Sequence, residues 1–334
     1  MKILLVCMEF EYGDRTRGRS FEYYNFYDSL KDLGHEVILF DFMTELGSTN
    51  KSAMNARLLQ IAQAEKLDFA LFSLYTDQIE PETVKQMAQF TKTLCFFHDD
   101  TWRVEFSQFW AAHFDYFTTP DVYGVHKYAR LGYSNAIYFP FGCNPHLYHP
   151  VETEKVYDVS FVGAWHPYRE WLLGRLTRAG FNVRAFGYRW PAGPLSHDEM
   201  VAVFSKSHIN LNMSNSASWD ARYLLSSPRG LVNRVRSPKT GEQLKARHFE
   251  ICGSGGFQLS YYVDGLERHY AIGEELAIYL DPNDLVNKVR RYLSDDAERD
   301  AIAKAGYART LKDHTFKVRF DHLFARMGLT DARA

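Results

Sequence analysis

Six short apolar runs punctuate the first 140 residues: KILLVCM (2–8), HEVILFDF (35–42), DFALFSL (68–74), TLCFF (93–97), DYFTT (115–119) and NAIYF (135–139). Each is too short for a buried helix and is rich in branched or aromatic side chains, so each predicts a buried strand. The stretches between them carry the wider spacing of amphipathic helices, at 20–33, 52–65, 81–90, 101–111 and 121–131. Regular alternation of strand and helix predicts a parallel sheet with helices on both faces.

The pattern stops at PFGCNPHLYHPVETEKVY (140–157), where three prolines interrupt a stretch without period. It restarts with DVSFVG (158–163), a helix to about position 179, NVRAFG (182–187), a helix near 196–205, and HINLNM (208–213). A long irregular segment leads to a predicted helix over 241–251, the strand GFQLSYY (256–262), LAIYL (276–280) and helices to the end. The expected organisation is α/β, with a Rossmann-like domain over 1–145, a linker over 146–156 and a second Rossmann-like domain over 157–312. A helix over 313–334 is expected to pack back on the first domain. Two such halves bind ligands in the cleft between them, outside the carboxyl ends of their strands.

Composition narrows the classes. Hydrophobic residues are 46% and charged residues 24% of the 334, an ordinary globular balance. A net charge of −2 gives no global field for nucleic acid, so bulk nucleic-acid binding is not expected. Cys7, Cys95, Cys143 and Cys252 form no CxxC pair and no Cys/His zinc pattern. Three of them sit in apolar contexts and read as reduced core residues, which points to the cytoplasm. No apolar run approaches the ~20 residues of a membrane span.

Candidate chemistry falls at strand ends. TLCFF leads into HDDTWR, which places His98, Asp99 and Asp100 where an acid could move a proton or bind a hydroxyl. The alternative is that Asp100 or Thr101 caps the next helix. Gly163 lets backbone approach a ligand, and His166 and Arg169 open a helix whose free N–H groups favour anions. Gly187 occupies the equivalent place after the next strand, and Tyr188 beside it is a base-stacking candidate. The stretch 219–248 carries Arg222, Arg229, Arg234, Arg236, Lys239, Lys245 and Arg247 against Asp220 and Glu242. That surplus fits either a diphosphate or a solvated loop laced with ion pairs. On a helix over 241–251, Glu242 and Glu250 would lie about 80° apart and ~12 Å apart along the axis. Lys245 and Arg247 fall between them in sequence, where a diphosphate would sit, and Gly253, Gly255 and Gly256 would end the helix.

HINLNMS, QLKARHFEICGSGGFQLSYY, and the long helical tail from Asp281 closely resemble the carboxyl-terminal domain of the spore-maturation-protein-type (CgeB-like) glycosyltransferases, relatives of the GT-B enzymes. FFHDDTWR and DVSFVGAWHPYR resemble the same family, so the likeness covers most of 90–320. It implies a GT-B fold of two Rossmann-like domains facing across a cleft. It implies transfer of a sugar from a nucleotide-diphosphate-sugar co-substrate, with a UDP-sugar the first guess, and no other cofactor. Retention of configuration follows from the same analogy, while independence of metal is expected because no DxD-type motif stands in a suitable place in the sequence. Glu250 matches the ribose-binding glutamate of retaining GT-B enzymes. Glu242 has the spacing of their first glutamate, although SPKTGE lacks the usual glycine–aromatic pattern before it. Asn212, Gly255 and Gly256 join the donor-binding set, and Asp99 or Asp100 is the candidate base if the enzyme inverts. The acceptor is unidentified, with 217–238 its candidate neighbourhood. Two alternatives are a nucleotide-sugar epimerase on the same fold and a non-catalytic nucleotide- or glycan-binding module.

Overall fold

The computed structural model describes residues 1–226, 228–237 and 241–329. All eleven predicted strands form: β1 (Lys2–Cys7), β2 (Glu36–Asp41), β3 (Phe69–Ser73), β4 (Lys92–Phe96), β5 (Tyr116–Thr119) and β6 (Ala136–Tyr138), then β7 (Tyr157–Val162), β8 (Val183–Phe186), β9 (Ser207–Asn212), β10 (Gln258–Tyr261) and β11 (Ala277–Tyr279). They divide into two parallel sheets.

The chain forms two compact units, 1–140 with 316–334, and 141–315. In the first, the sheet order is β2-β1-β3-β4-β5-β6. Ile3 to Cys7 are fully buried, as a central strand covered on both faces requires. The terminal helix Phe316–Met327 belongs to this unit, where Phe316 and Phe320 both pack on Phe26. In the second unit the order is β11-β10-β9-β7-β8. Its first strand therefore lies between its second and third, the same winding as in the first unit. That order places a crevice at the carboxyl ends of β7 and β9, where successive connections leave in opposite directions.

Two local expectations are corrected. The helix predicted over 241–251 begins only at Arg247 and runs Arg247–Gly253. Glu242 and Lys245 lie in the irregular stretch before it, so the two glutamates do not share a helix face. The capping alternative for Asp100 and Thr101 is not met either. The helix Val104–Ala111 has Arg103 at its N-cap and no side-chain cap bond, so neither Asp100 nor Thr101 serves it.

Candidate functional site

The crevice of the second unit is built by Arg169. Its Nε donates to the Asn215 carbonyl at 3.1 Å, Nη1 to Ala164 at 2.9 Å, and Nη2 to Met213 at 2.7 Å and Ser214 at 3.4 Å. One guanidinium thus ties the loop after β7 to the loop after β9. Burial pushes its pKa down to about 10, against an upward pull from Glu242. Arg169 positions backbone at the crevice.

Glycine shapes the neighbouring loops. Gly187 has φ +127°, and a Cβ there would stand 2.3 Å from the Gly163 carbonyl oxygen. That oxygen also accepts from Trp190 Nε1 at 2.9 Å. Tyr188, whose carbonyl accepts from Trp165 N, is 66% exposed and presents its ring to solvent. His166 occupies the N-cap of Pro167–Arg178 without a side-chain cap bond to it.

A cavity of about 410 Å³ opens beside this crevice. Its wall includes Asn215 from the loop after β9, Glu242, Trp219, Arg234, and Tyr261 to Asp264 at the end of β10. Its size falls in the range of small-ligand sites. Asn215 and its neighbour Ser214 are buried, and among the described residues neither Asn215 Oδ1 nor Ser214 Oγ has a hydrogen-bond partner. Buried orphan acceptors are rare in folded proteins and point to a missing ligand or water. The sequence signal for them was the run of short polar side chains, SNS (214–216), one residue beyond β9. Arg234 stacks over Trp219 at 4.7 Å, whereas Arg222 is held bidentately by Asp220. Arg229 (side chain) and Lys239 lie outside the described residues.

Glu250 is set apart from that cavity wall. It is buried, its Oε1 accepts from Tyr148 Oη at 3.0 Å, and its Oε2 pairs with Arg247 Nη1 at 2.6 Å. The guanidinium of Arg247 also lies over the Phe204 ring. Lys245 is partly exposed, and its backbone N–H meets His248 Nδ1 at 3.1 Å. Burial pushes His248 down to about 4, so its ring is neutral. Asn212 is buried and donates to Gln258 Oε1, tying β9 to β10. Gly255 has φ +69° beside Pro150, and a Cβ on Gly256 would meet the Asn210 amide at 2.6 Å. These three residues pack the fold.

In the first unit His98 has a partner that sequence reasoning missed. Its Nε2 donates to Glu22 Oε1 at 2.8 Å, and Ser73 Oγ donates to the same oxygen at 2.6 Å. Burial pushes Glu22 up, but the bonds and charge supplied by His98, with Ser73, outweigh it and hold the carboxyl below its usual range. The signal was a lone acid inside the aromatic run SFEYYNFY, which can be buried only if partnered. Asp99 forms a turn, its carbonyl accepting from Trp102 and Arg103. Asp100 is 4% exposed, and burial raises it to about 6 despite bonds from Thr119 and Tyr128. It lines a small cavity of about 120 Å³ with Asp121, Lys127 and Tyr128. All four cysteines are buried. Among the described residues no helix is long and apolar enough to cross a membrane, and no group of three or more His, Cys, Asp or Glu is placed to hold a metal ion.

Residues 169–325 match the model of a family described as glycosyl transferase-like. The chain is similar to the spore protein CgeB of Bacillus subtilis (strain 168), with 24% identity over 200 residues, 57% of this chain. The match spans 60% of that protein's length. Among solved structures, sucrose-phosphate synthase from Thermosynechococcus elongatus aligns with a TM-score of 0.65 at 12% identity, covering 98% of this chain and 99% of that one. A glycosyltransferase from Rickettsia africae ESF-5 aligns with a TM-score of 0.64 at 12% identity, covering 99% of each. Anabaena HepE in complex with UDP aligns with a TM-score of 0.59 at 12% identity, covering 99% of this chain and all of that one. At such identities these likenesses establish the fold, which is GT-B.

Proposed function

Taking 169–325 as a glycosyl transferase-like segment on a GT-B fold, we propose that the protein transfers a sugar from a nucleotide-diphosphate-sugar to a hydroxyl acceptor. The observation that carries the reading is the cavity of the second unit. Its wall joins Glu242 to Asn215, a residue whose Oδ1 is buried without a partner, at the carboxyl ends of β9 and β10 and inside the matched segment. Glu242 and Asp264 are acceptors suited to sugar or ribose hydroxyls, and the exposed Trp219 offers a stacking face. Lys245, partly exposed in the stretch between Glu242 and Glu250, is the cation proposed for the diphosphate. UDP and UDP-glucose bind HepE, which favours a UDP-sugar as donor here.

In the proposed reaction the bond from the anomeric carbon to the diphosphate breaks and a bond to the acceptor oxygen forms. The acceptor's proton passes to the leaving diphosphate, so configuration is retained and no protein base is required. The first unit, with His98 held by Glu22, handles the acceptor. Charge on the leaving group is met by Lys245 and backbone N–H groups without a metal, in a cytoplasmic enzyme.

A melting panel of nucleoside diphosphates tests this. A bound diphosphate at 100 times its Kd should add about 2.7 kcal/mol of stability, and Glu242→Gln should abolish sugar transfer from the UDP-sugar while UDP still binds. A panel in which no diphosphate raises the melting temperature would defeat the proposal. Transfer that vanishes in excess chelator and returns with magnesium would defeat its metal-free form.

A further inference from the structure

The first unit holds a cavity of about 410 Å³ that shares no wall residue with the cavity of the second unit or with the small cavity at Asp100. Tyr138 and Phe139, at the end of β6, form one wall. The helix Phe316–Met327 forms the other through Arg319, His322, Leu323 and Arg326. At about 100° per residue, His322 and Arg326 fall within about 60° of Arg319 on one side and Leu323 about 40° on the other. One helix face therefore carries all three basic groups. The helix's single acid, Asp321, falls about 200° from Arg319, away from that face. Among the described residues of the wall there is no carboxylate.

Cations stacked on one helix face repel and cost stability unless an anion lies between them. The helix dipole favours Arg326 in the last turn, but Arg319 lies about two turns earlier, beyond the reach of that effect. Arg319 is 7% exposed, and a buried charge is screened less by salt than an exposed one. His322 and Arg326 are exposed, and among the described residues neither has a hydrogen-bond or ion-pair partner. We propose that this cavity binds a small organic phosphate. Its volume falls in the range of small-ligand sites. Arg326 and His322 donate to the phosphate oxygens, and the charge of Arg319 adds to theirs. Phe139 and Leu323 give the carbon body an apolar wall. Two guanidiniums match a phosphate dianion, where a carboxylate is satisfied by one.

The test is calorimetric titration of the full chain with phenyl phosphate, inorganic phosphate, benzoate and phenol. Phenyl phosphate should bind saturably and about fivefold or more tighter than inorganic phosphate or benzoate. Phenol, which lacks the anion, should give no measurable heat. Arg326→Glu should weaken phenyl phosphate by about 10–100-fold, as the loss of a charge-assisted hydrogen bond does. Its melting temperature should match wild type, because the side chain is exposed. Lys245→Ala should leave phenyl phosphate binding unchanged, and the UDP melting shift should survive Arg326→Glu, so the two sites are read separately. No saturable binding of phenyl phosphate would overturn the proposal. So would inorganic phosphate or benzoate binding as tightly, or binding that persists in Arg326→Glu. Binding that Lys245→Ala removes would place the anion at the donor site and overturn it too.

Discussion

Glu250 answers two donors at once, and that decides what its removal does. Tyr148 and Arg247 both point at a side chain only 7% exposed. Glu250→Ala leaves the Arg247 guanidinium without its carboxylate, so we expect a stability loss of about 2–4 kcal/mol alongside any loss of nucleotide affinity. Tyr148→Phe removes one hydrogen bond and should cost about 1 kcal/mol. Equal melting temperatures for wild type and Glu250→Ala would contradict the buried pair. The two buried carboxyls of the first unit respond to pH in opposite directions. Asp100 is raised, so its stabilising contribution is complete below its unfolded value of 3.8 and is lost as pH climbs through about 6. The gap is worth about 3 kcal/mol. Asp100→Asn should therefore be the more stable protein above pH 6 and lose that advantage near pH 4. Glu22 is held low, so its contribution is present above the ordinary glutamate value and is lost as pH falls through its lowered one. His98→Ala strands that carboxylate and should cost about 1–3 kcal/mol, with Glu22→Gln restoring part of the loss in the double variant. Additive losses would mean that the pair is not coupled.

At the scale of elements, loops after strands carry the geometry, and two glycines in one loop separate steric need from backbone need. Gly187 combines φ +127° with the Gly163 carbonyl 2.3 Å from any Cβ, whereas Gly193 has φ +73° and nothing within 4 Å of its Cβ position. Gly193→Ala should cost about 1–2 kcal/mol of backbone strain. Gly187→Ala adds a clash with backbone that cannot yield and should exceed about 3 kcal/mol in denaturant melts. Similar losses for both would show that the loop simply moves. The strands were legible as short apolar runs, and Ile3 to Cys7, buried on both faces, show why such a run cannot be a surface helix. The helix start at Arg247 was not, because Leu244 and Ile251, seven apart, mimic helical spacing, while the burial of Gln243 beside Leu244 is decided by distant chain. The strand-end positions of His98 and Gly187 followed from topology alone. Partners such as Glu22 for His98, Tyr148 for Glu250, and the four carbonyls on Arg169 are set by packing across long sequence separations, which spacing along the chain does not encode.

For the whole molecule, the chain leaves the first unit after Pro140 and returns to it at Phe316. The returning helix is part of that unit's core: Phe320 packs on Phe26 and Phe139, and Phe324 on Phe69. Phe320 is 1% exposed, so Phe320→Ala should open a cavity costing about 3–5 kcal/mol. Each unit has its own apolar core, built from residues such as Leu4, Val6 and Phe72 in one and Val159, Leu211 and Leu259 in the other. The loss should therefore fall on the first unit. Amide exchange should quicken in peptides from β1, β3 and β4 and stay near wild type in peptides from β7, β9 and β10. The nucleotide is proposed to bind the second unit, so UDP should still protect the loops after β9 and β10 in this variant. Uniform loss of protection across both sheets would show that the units unfold as one, and would remove the expectation that donor binding survives damage to the first.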